Sequence, residues 1–322
     1  MTCKHAESMN VGGIQVDLSH TDKVLFPGRD EITKGDLIEY YARVADRMLP
    51  YLAERPIAMA RYPDGITGPR IFQKNVPDYF PDWVTRAEVK KQDGVLNHVI
   101  CDKPATIVYL ANQACIELHA FLSRLDRLDR PDQLIFDLDP PDADHFGDVR
   151  TAALRLRDLL ADELGLTPFV KTTGGKGLHV QVSLRAEDDF DAVRAFARQV
   201  GGLLAARNPD LATIEQRKDK RGRRLYVDVM RNAYAQTAVA PYVVRARPGA
   251  SVAVPLHWDE VADSELEPGR FTLRTVQRRL DEIDRADDPW AGVTRRRHSL
   301  TEARSRLDEL TGGRITPGTE GS

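Results

Sequence analysis

Cysteine, long apolar runs and an excess of one charge are all scarce in this chain of 322 residues. Three cysteines are too few for a disulfide framework, which favours a reducing compartment. No stretch approaches the roughly 20 consecutive apolar residues that span a bilayer. The opening residues, MTCKHAESMN, also lack the order of a secretory signal. We therefore expect a globular cytoplasmic protein with no membrane partner.

Pairs of metal-binding cysteine and histidine are equally scarce. Cys115 and His119 have a helical i,i+4 spacing, but no second pair accompanies them, so a structural zinc site is disfavoured. The net charge of −3 excludes a protein whose whole surface coats a polyanion. Basic residues are instead concentrated at 217–224, which is typical of either a solvated hairpin or a local polyanion site.

The first 130 residues predict one helix followed by two strand pairs. Thr33 is placed to cap an amphipathic helix that ends near Leu52. Residues 56–74 alternate around a Pro-Asp-Gly turn, as a hairpin does, and residues 88–100 predict a second strand pair. Residues 105–123 are interpreted as a helix with Glu117 and His119 near its end, followed by a charged linker.

From residue 134 onward, strands and helices alternate. The predicted order is strand at 134–139, helix at about 146–164, strand at 168–173, glycine turn, strand at 177–184, helix at about 189–206 and strand at 225–231. This order indicates an α/β unit. A short extended segment and a terminal helix are expected within 248–284, and the last dozen residues are expected to be mobile.

Three aspartates are candidate metal ligands. Asp137 and Asp139 are two residues apart, so on a strand they project from the same face. Bound divalent cations are the usual way to keep two such neighbours ionised. Asp228 interrupts an apolar strand, where an unpaired carboxylate is costly. Together the three could hold two metal ions, although the first two could equally cap a helix after the Pro140 break.

A glycine-rich hairpin lies between the two acidic strands, in the sequence KTTGGKGLHVQVSL. It does not match a Walker A loop, because Gly177 follows Lys176 where a hydroxyl residue is required. Its glycines allow backbone amides to face phosphate oxygens, and Lys176 adds positive charge. His179 shares one face of the return strand with Gln181. An ordinary β-turn is the alternative interpretation.

Three segments together resemble the motifs of the archaeo-eukaryotic primase superfamily. They are FDLDP at 136–140, TTGGKGLH at 172–179 and YVDVMRN at 226–232. Within that superfamily the chain is similar to the polymerase domain of bacterial DNA ligase D and its stand-alone relatives of the Prim-PolC type. Further similar segments are VDLSHTDKVLFP at 16–27, the hairpin at 55–74, NQACIELH at 112–119 and residues 240–261. With no ligase adenylation motif present, we expect the polymerase module alone.

The resemblance implies an α/β (α+β) primase-like catalytic core, with mixed and antiparallel sheets flanked by helices and an RRM-like palm. One catalytic domain would cover residues 1–290, with an N-terminal module at about 1–130 and a palm-like module at about 131–290 forming one unit. Residues 291–322 would be a polar, partly disordered extension. The implied location is the bacterial cytoplasm, in association with the nucleoid.

The implied activity is template-directed nucleotide addition at short gaps and broken DNA ends that carry a 5′-phosphate, using NTPs or dNTPs with a preference for ribonucleotides. Two Mn²⁺ or Mg²⁺ ions would be held by the matching carboxylates, Asp137, Asp139 and Asp228. The implied nucleotide-binding residues are Arg61, His119, Thr173, Lys176, His179 and Arg245. A DNA ligase and Ku are the implied partners.

The resemblance also implies residues that bind DNA. Lys23 and Lys34 match lysines that bind a downstream 5′-phosphate, although without the resemblance both are interpreted as solvated lysines, and His119 as a core or capping histidine. The other implied DNA-binding residues are Phe72, Lys74, Arg221, Arg223 and Arg224. Two departures affect the template contact: Ile71 stands where the family often has a second aromatic, and Ala60 where it sometimes has an additional basic residue.

The sequence also suggests two other functions. A haloacid dehalogenase-type phosphatase also has an Asp-x-Asp strand, but Pro141 stands where that family has Thr or Val, and Asp228 would have no role. A non-catalytic module that binds or bridges DNA ends is disfavoured by the three retained aspartates. The pathway, end joining or excision repair, is left open.

Overall fold

The computed structural model describes residues 7–91, 94–283 and 287–312. The chain divides into two compact units. The first comprises residues 1–121, 237–254 and 269–285, and the second comprises residues 122–236, 255–268 and 286–322. The modules expected at 1–130 and 131–290 differ from these units, because the chain returns twice to the first unit. Most of the predicted mobile tail lies outside the described residues.

In the described ranges the regular structure consists of sixteen strands and eight α-helices. The strands are β1 (Ser8–Val11), β2 (Ile14–Asp17), β3 (Val24–Phe26), β4 (Ile32–Thr33), β5 (Pro56–Arg61), β6 (Ile71–Gln73), β7 (Arg86–Lys91), β8 (Gly94–Ile100), β9 (Cys115–Phe121), β10 (Gln133–Asp139), β11 (Pro168–Thr172), β12 (Leu178–Ser183), β13 (Ala212–Thr213), β14 (Leu225–Asp228), β15 (Thr237–Val239) and β16 (Pro255–Leu256). The helices are α1 (Lys34–Leu52), α2 (Pro104–Asn112), α3 (Phe146–Asp158), α4 (Phe190–Arg207), α5 (Lys218–Arg221), α6 (Trp258–Ala262), α7 (Val276–Glu282) and α8 (Thr301–Thr311).

Helix α1 begins where the sequence predicts. Thr33 Oγ1 accepts a hydrogen bond from Asp36 N at 3.2 Å, and the Asp36 carboxylate accepts one from Thr33 N at 2.7 Å. This reciprocal cap satisfies two of the amides that a helix start leaves unpaired. The helix ends at Leu52, as predicted, and buries its apolar face in the core of the first unit.

The prediction of one helix over residues 105–123 is wrong in its second half. Helix α2 ends at Asn112, Ala114 adopts a left-handed backbone with φ 54°, and residues 115–121 form strand β9. β9 lies between β5 and β15, so both of its edges are hydrogen-bonded within the sheet. This pairing outweighs local helix propensity and places Glu117 and His119 on a strand.

The first unit is built on an antiparallel sheet of order β15-β9-β5-β8-β7, with β6 paired to β5. The predicted hairpin of β5 and β6 is confirmed. Two tyrosines of α1 explain why residues 237–254 return to this unit. Tyr40 Oη donates to the carbonyl of Tyr242 at 2.8 Å, and Tyr41 Oη accepts from Val244 N at 3.0 Å.

The second unit is built on a six-stranded sheet of order β13-β14-β10-β12-β11-β16. Strand β10, which carries the Asp-x-Asp pair, is central and antiparallel to both neighbours. Helices α3 and α4 pack on β10, so both predicted helices are confirmed. The buried indole of Trp290 donates to the carbonyl of Val170 at 2.8 Å and ties residues beyond 286 to this sheet. The described residues include no helix with the length and hydropathy needed to cross a membrane.

Candidate active site

A row of polar side chains crosses four neighbouring strands of the second unit. Cross-strand partners on one face of an antiparallel sheet have Cβ atoms about 5 Å apart, so neighbouring members of the row lie side by side. The row comprises Lys171 on β11, His179 on β12, Asp137 on β10 and Asp228 on β14. Asp139 lies two residues along β10, on the same face. The sheet therefore brings together the three aspartates that the sequence predicts as ligands.

Asp137 is buried, and one of its oxygens faces two basic side chains. Asp137 Oδ2 lies 3.5 Å from His179 Nε2 and 3.4 Å from Arg231 Nε. Burial acts to raise the pKa of Asp137, but its contacts with His179 and Arg231 outweigh burial and lower it. Burial lowers the pKa of His179 to about 4, so at neutral pH the positive charge beside Asp137 comes from Arg231 and Lys171.

Asp228 ends its strand and faces a turn that carries Arg231. Its Oδ1 accepts a hydrogen bond from Met230 N at 2.8 Å, while its Oδ2 lies 3.9 Å from Arg231 Nε. Burial raises the pKa of Asp228, and the neighbouring charge of Asp137 raises it further. A nearby cation is thus the natural complement of this pair of carboxylates.

The glycine-rich hairpin packs against the end of β10. Thr173 N and Oγ1 both donate to the carbonyl of Gly177, at 3.1 and 3.0 Å, which closes the turn. A Cβ on Gly177 would lie 2.2 Å from the carbonyl oxygen of Leu138, so only glycine fits there. Lys176 Nζ donates to the carbonyls of Pro140 and Pro141 and lies 3.5 Å from Asp139 Oδ1.

The three aspartates face different basic side chains. Within the described ranges, no three His, Cys, Asp or Glu side chains are gathered as a metal-binding group. Asp139 turns toward Lys176, whereas Asp137 and Asp228 face Arg231. The donor set still fits a divalent ion, because carboxylate oxygens are hard ligands and these three share one face of a sheet.

In the first unit, Glu117 of β9 is the centre of a second polar cluster. Glu117 Oε2 lies 3.0 Å from His119 Nε2, and Oε1 accepts from Arg245 Nε at 2.9 Å and from Ala246 N at 3.0 Å. Burial acts to raise the pKa of Glu117, but the hydrogen bond from His119 and the charge of Arg245 outweigh it and hold the pKa well below its usual range. Burial lowers the pKa of His119. The structure thus joins two predicted nucleotide-binding residues through an acid that the sequence left without a role.

The hairpin of β5 and β6 presents the predicted template-contacting residues. Phe72 is 43% exposed, and its ring meets that of His119 edge to face with centroids 5.7 Å apart. Arg61 is already engaged, because its guanidinium donates to Gln73 Oε1 at 3.1 Å and to Tyr79 Oη at 2.7 Å. Lys74 follows β6 and is half-buried.

The predicted phosphate-binding lysines are neighbours in space. Lys34 N donates to the carbonyl of Lys23 at 2.8 Å, beside the β3–β4 pair. Burial and the charge of Lys23 lower the pKa of Lys34, whose Nζ donates to the carbonyl of Asn112 at 3.0 Å. Lys23 is exposed and pairs with Asp64 at 3.1 Å. Two lysines that are 11 residues apart in sequence are therefore neighbours in one basic cluster.

The basic run at 217–224 forms the short helix α5 and a turn, which corrects the hairpin interpretation. Arg221 caps carbonyls of Glu215 and Gln216, and its guanidinium lies 3.7 Å from the ring centroid of Tyr226. Arg224 likewise donates to carbonyls of the run itself. Arg223 is exposed and lies 3.2 Å from His145 Nε2. Arg223, Lys218 and Lys220 are the exposed residues of the run that are best placed to meet a phosphate group of a ligand.

Three residues of these clusters were not assigned a role from sequence. Glu117 interrupts an apolar stretch, and that same signal had singled out Asp228. Arg231 and Asn232 belong to the third motif, but no spacing rule points to them. Asn232 is buried and pairs with the backbone of Ile135, accepting from its N at 2.9 Å and donating to its O at 2.8 Å.

A family model described as the LigD primase-polymerase domain matches residues 33–290. The chain belongs to that family. The match covers both acidic strands, the glycine-rich hairpin and the Glu117 cluster. The predicted primase-like fold is thereby confirmed, and the chain is a DNA-directed nucleotidyltransferase of the primase-polymerase class with a general dependence on divalent metal. Nothing in the comparisons supports the phosphatase.

Similar proteins agree with the family assignment. The chain is 34% identical over 277 residues to the bifunctional non-homologous end joining protein LigD of Bacillus subtilis, covering 86% of this chain and 44% of that protein. It is 34% identical over 291 residues to the multifunctional non-homologous end joining protein LigD of Pseudomonas aeruginosa, and the match covers 90% of this chain and 34% of that protein. The chain thus spans less than half the length of these relatives.

A solved structure extends the likeness to three dimensions. The polymerase domain of Mycobacterium tuberculosis Ligase D in complex with DNA superposes with a TM-score of 0.78 and 31% identity. The match covers 85% of this chain and 98% of that domain. This chain therefore shares nearly the whole fold of the mycobacterial polymerase domain.

Proposed function

We propose that this LigD-family domain adds nucleotides to a primer at short gaps or broken ends of double-stranded DNA that carry a 5′-phosphate, with a preference for ribonucleotides. The observation that supports it most is the alignment of Asp137 and Asp228 as cross-strand partners, with Asp139 beside the Lys176 hairpin. This is the arrangement of carboxylates and phosphate-binding groups that nucleotidyl transfer needs.

The metal ligands of this proposal are Asp137, Asp139 and Asp228, with Mn²⁺ or Mg²⁺ as the two ions. A bound divalent ion stabilises the attacking 3′-oxygen and the charge of the leaving pyrophosphate. The chain's own contribution is to hold the three carboxylates on one sheet face, and burial keeps bulk water away from Asp137.

The triphosphate is assigned to the hairpin that closes on Gly177. Lys176 presently donates to the carbonyls of Pro140 and Pro141, and a phosphate group is a stronger partner for an ammonium than a neutral carbonyl. Thr173 holds the turn in shape, because its hydroxyl donates to the Gly177 carbonyl and accepts from Gly175 N at 3.1 Å, and His179 lies at the base of the hairpin beside Asp137.

We propose separately that the cluster around Glu117, within the first unit, binds a sugar hydroxyl and a base. Glu117 fixes both His119 and Arg245, so the histidine is held in one orientation from which a ring nitrogen can meet a ribose hydroxyl. A site that hydrogen-bonds a hydroxyl discriminates against the analogue that lacks it. Exposed Phe72, with Lys74 nearby, is assigned to a template base, and Arg223 of the basic run to the DNA backbone.

DNA is the proposed macromolecular substrate, since the similar mycobacterial domain was solved in complex with it. The relatives are named as end-joining proteins, so a DNA ligase and Ku are the partners we propose in a bacterial, nucleoid-associated setting. Because the matched relatives are much longer than this chain, a ligase activity would be supplied by another chain or another segment.

The experiment that tests the proposal uses a DNA gap with and without a 5′-phosphate. Wild-type protein is expected to bind and fill the phosphorylated gap in preference, with NTPs used at least as well as dNTPs. The variant Lys23→Ala/Lys34→Met retains the buried stem of Lys34 and is expected to lose this preference. Each lost phosphate contact makes the negative slope of log K against log salt shallower by about 0.9.

Anisotropy titrations at several salt concentrations measure the binding, and primer extension with Mn²⁺ or Mg²⁺ measures the reaction. Extension of an open primer-template by the double variant is the control and is expected to stay close to wild type. Equal binding of both gaps by wild-type protein would contradict the proposed 5′-phosphate site. Absence of extension with every nucleotide and either metal would contradict the proposed reaction.

A further inference from the structure

Arg231 occupies a position that the nucleotide-transfer chemistry described above does not use. It follows Asp228 by three residues, and its Nε lies 3.4 Å from Asp137 Oδ2 and 3.9 Å from Asp228 Oδ2. One guanidinium therefore faces both of the carboxylates that are partners across strands β10 and β14. Its side chain is 42% exposed, whereas those of Asp137 and Asp228 are 13% and 21% exposed.

The turn that carries Arg231 is firmly anchored. The Asn232 side chain pairs with both backbone groups of Ile135, two residues before Asp137 on the same strand. Met230 N, on the other side of Arg231, donates to Asp228 Oδ1 at 2.8 Å. These contacts fix the Cα of Arg231 next to the carboxylates, while the exposed side chain above it is long enough to move.

Arg231 Nε faces one oxygen of each carboxylate. Asp228 Oδ1 is taken by Met230 N, which leaves Oδ2 toward the guanidinium. At Asp137, Oδ2 lies 3.5 Å from His179 Nε2 and 3.4 Å from Arg231 Nε, and both distances are long for a charge-assisted contact. Good charge-assisted hydrogen bonds are about 2.7–2.9 Å, so this guanidinium neutralises charge without binding either carboxylate tightly.

We propose that Arg231 is a displaceable counter-ion: its guanidinium compensates the Asp137/Asp228 pair when no metal is bound, and a divalent cation must displace it to bind. The inference rests on the proposed metal ligands. It assigns Arg231 a regulatory role in metal loading, since the same positive charge that stabilises the metal-free protein opposes entry of the ion. In this exchange the Arg231 ion pairs with Asp137 and Asp228 would break, the carboxylate oxygens would bind the divalent ion instead, and a +1 guanidinium would be replaced by a +2 ion.

Three variants test the exchange in the absence of DNA and nucleotide. Arg231→Gln removes the charge and keeps most of the length. Arg231→Lys keeps the charge but places it on a compact ammonium in place of the planar guanidinium whose Nε lies nearest to both carboxylates. Arg194→Gln is the matched control, because Arg194 is a partly exposed arginine of α4 that pairs with Asp191, and it removes the same net charge elsewhere.

Mn²⁺ binding to the EDTA-stripped full chain is measured by the EPR signal of the free ion. Arg231→Gln is expected to bind Mn²⁺ about tenfold more tightly than wild type, the change expected for removing one unit charge about 4 Å from the ligands at a half-exposed site. Arg231→Lys is expected to lie between the two, and Arg194→Gln to match wild type.

Thermal unfolding supplies the second readout. Without metal, Arg231→Gln is expected to melt below wild type, because the two carboxylates lose their compensating charge, and Mn²⁺ is expected to raise its Tm by more than it raises that of wild type. A purely structural role for Arg231 would lower the Tm with and without metal alike.

The outcomes are distinct. If wild type binds Mn²⁺ and Arg231→Gln binds it no more tightly, the counter-ion proposal is overturned while the metal site stands. If neither protein shows Mn²⁺ binding, and Asp137→Asn behaves identically, the proposed metal ligands fail and the inference fails with them. A tightening that Arg194→Gln also shows would reduce the effect to net charge and overturn the specific role of Arg231.

Discussion

Two buried acidic groups of this protein are compensated in contrasting ways. In the first unit, Glu117 receives three hydrogen bonds of 2.9–3.0 Å, from His119, Arg245 and the amide of Ala246. In the second unit, Asp137 Oδ2 lies 3.5 Å from His179 Nε2 and 3.4 Å from Arg231 Nε, and Asp228 Oδ2 lies 3.9 Å from Arg231 Nε. A carboxylate with all its bonds made orients its neighbours, whereas a loosely compensated pair can accept an additional cation.

This contrast separates a positioning group from a reactive site. Glu117 gains nothing from a further cation, because its oxygens already have short, charge-assisted partners. The pKa of Asp228 is raised, first by burial and then by the neighbouring charge of Asp137, so its ionised form is not fully compensated in the folded protein. Loosely satisfied charge costs stability and is retained where a ligand will use it.

The largest expected effect is on catalysis by the loosely compensated pair. Asp137→Asn keeps the shape but removes a charge that the transferred nucleotide's metal requires, so primer extension is expected to fall on the order of 10³-fold or more. The measurement is single-turnover extension, with gapped-DNA binding expected to stay near wild type. Extension within tenfold of wild type would remove Asp137 from the site.

The second-largest expected effect is on the free energy of unfolding, and it concerns Glu117, whose carboxylate has three hydrogen-bond partners. Glu117→Ala leaves Arg245 and a backbone amide without their partner, so the free energy of unfolding is expected to fall by about 3 kcal/mol. Urea denaturation measures it, with Asp137→Ala as the matched comparison, for which a much smaller loss is expected. Equal losses at the two positions would erase the contrast between them.

The pH dependence of stability gives a second test of the role of Glu117. The folded-state pKa of Glu117 is lowered, so its contribution is complete above the unfolded value of about 4.3 and is lost as the pH falls through the folded pKa. The stability gap between wild type and Glu117→Gln is therefore expected to be constant near neutrality and to close only below about pH 4. A gap that closes between pH 6 and 8 would contradict this.

The smallest expected effect is a gain in stability, and it concerns Asp228. Because the folded-state pKa of Asp228 is raised, its ionised form costs stability at neutral pH, and the cost disappears as the pH falls through the unfolded value of about 3.9. Asp228→Asn keeps an acceptor for Met230 N and is expected to raise the Tm of the metal-free protein at pH 7 by a few degrees or less. Calorimetry in EDTA measures it, and a lowered Tm would show that the negative charge is stabilising.

Local sequence signals were sufficient for many elements. Thr33 and Asp36 cap α1 through contacts three residues apart, which a linear pattern can contain. The period-2 spacing of Asp137 and Asp139 places them on one face of any strand. The close approach of Gly177 to the Leu138 carbonyl explains the glycine that the hairpin motif carries. Each of these depends on neighbours along the chain or on one motif.

Other features failed because their cause is distant in sequence. Glu117 and His119 were assigned to a helix, yet β9 forms because β5 and β15, about 60 and 120 residues away, pair with its edges. The return of residues 237–254 to the first unit rests on hydrogen bonds with Tyr40 and Tyr41 of α1. The link from Arg245 to Glu117 spans 128 positions and has no periodic signature.

The sequence by itself determined the chemistry available to this protein: three aspartates, a lysine in a glycine-rich turn and a family of nucleotidyltransferases. Tertiary structure alone decided which charges compensate one another, because ion pairing depends on distances of a few ångströms that strand register sets. Arg231 illustrates the difference. In sequence it is one arginine among many, and only the pairing of β10 with β14 places both Asp137 and Asp228 within 4 Å of its guanidinium.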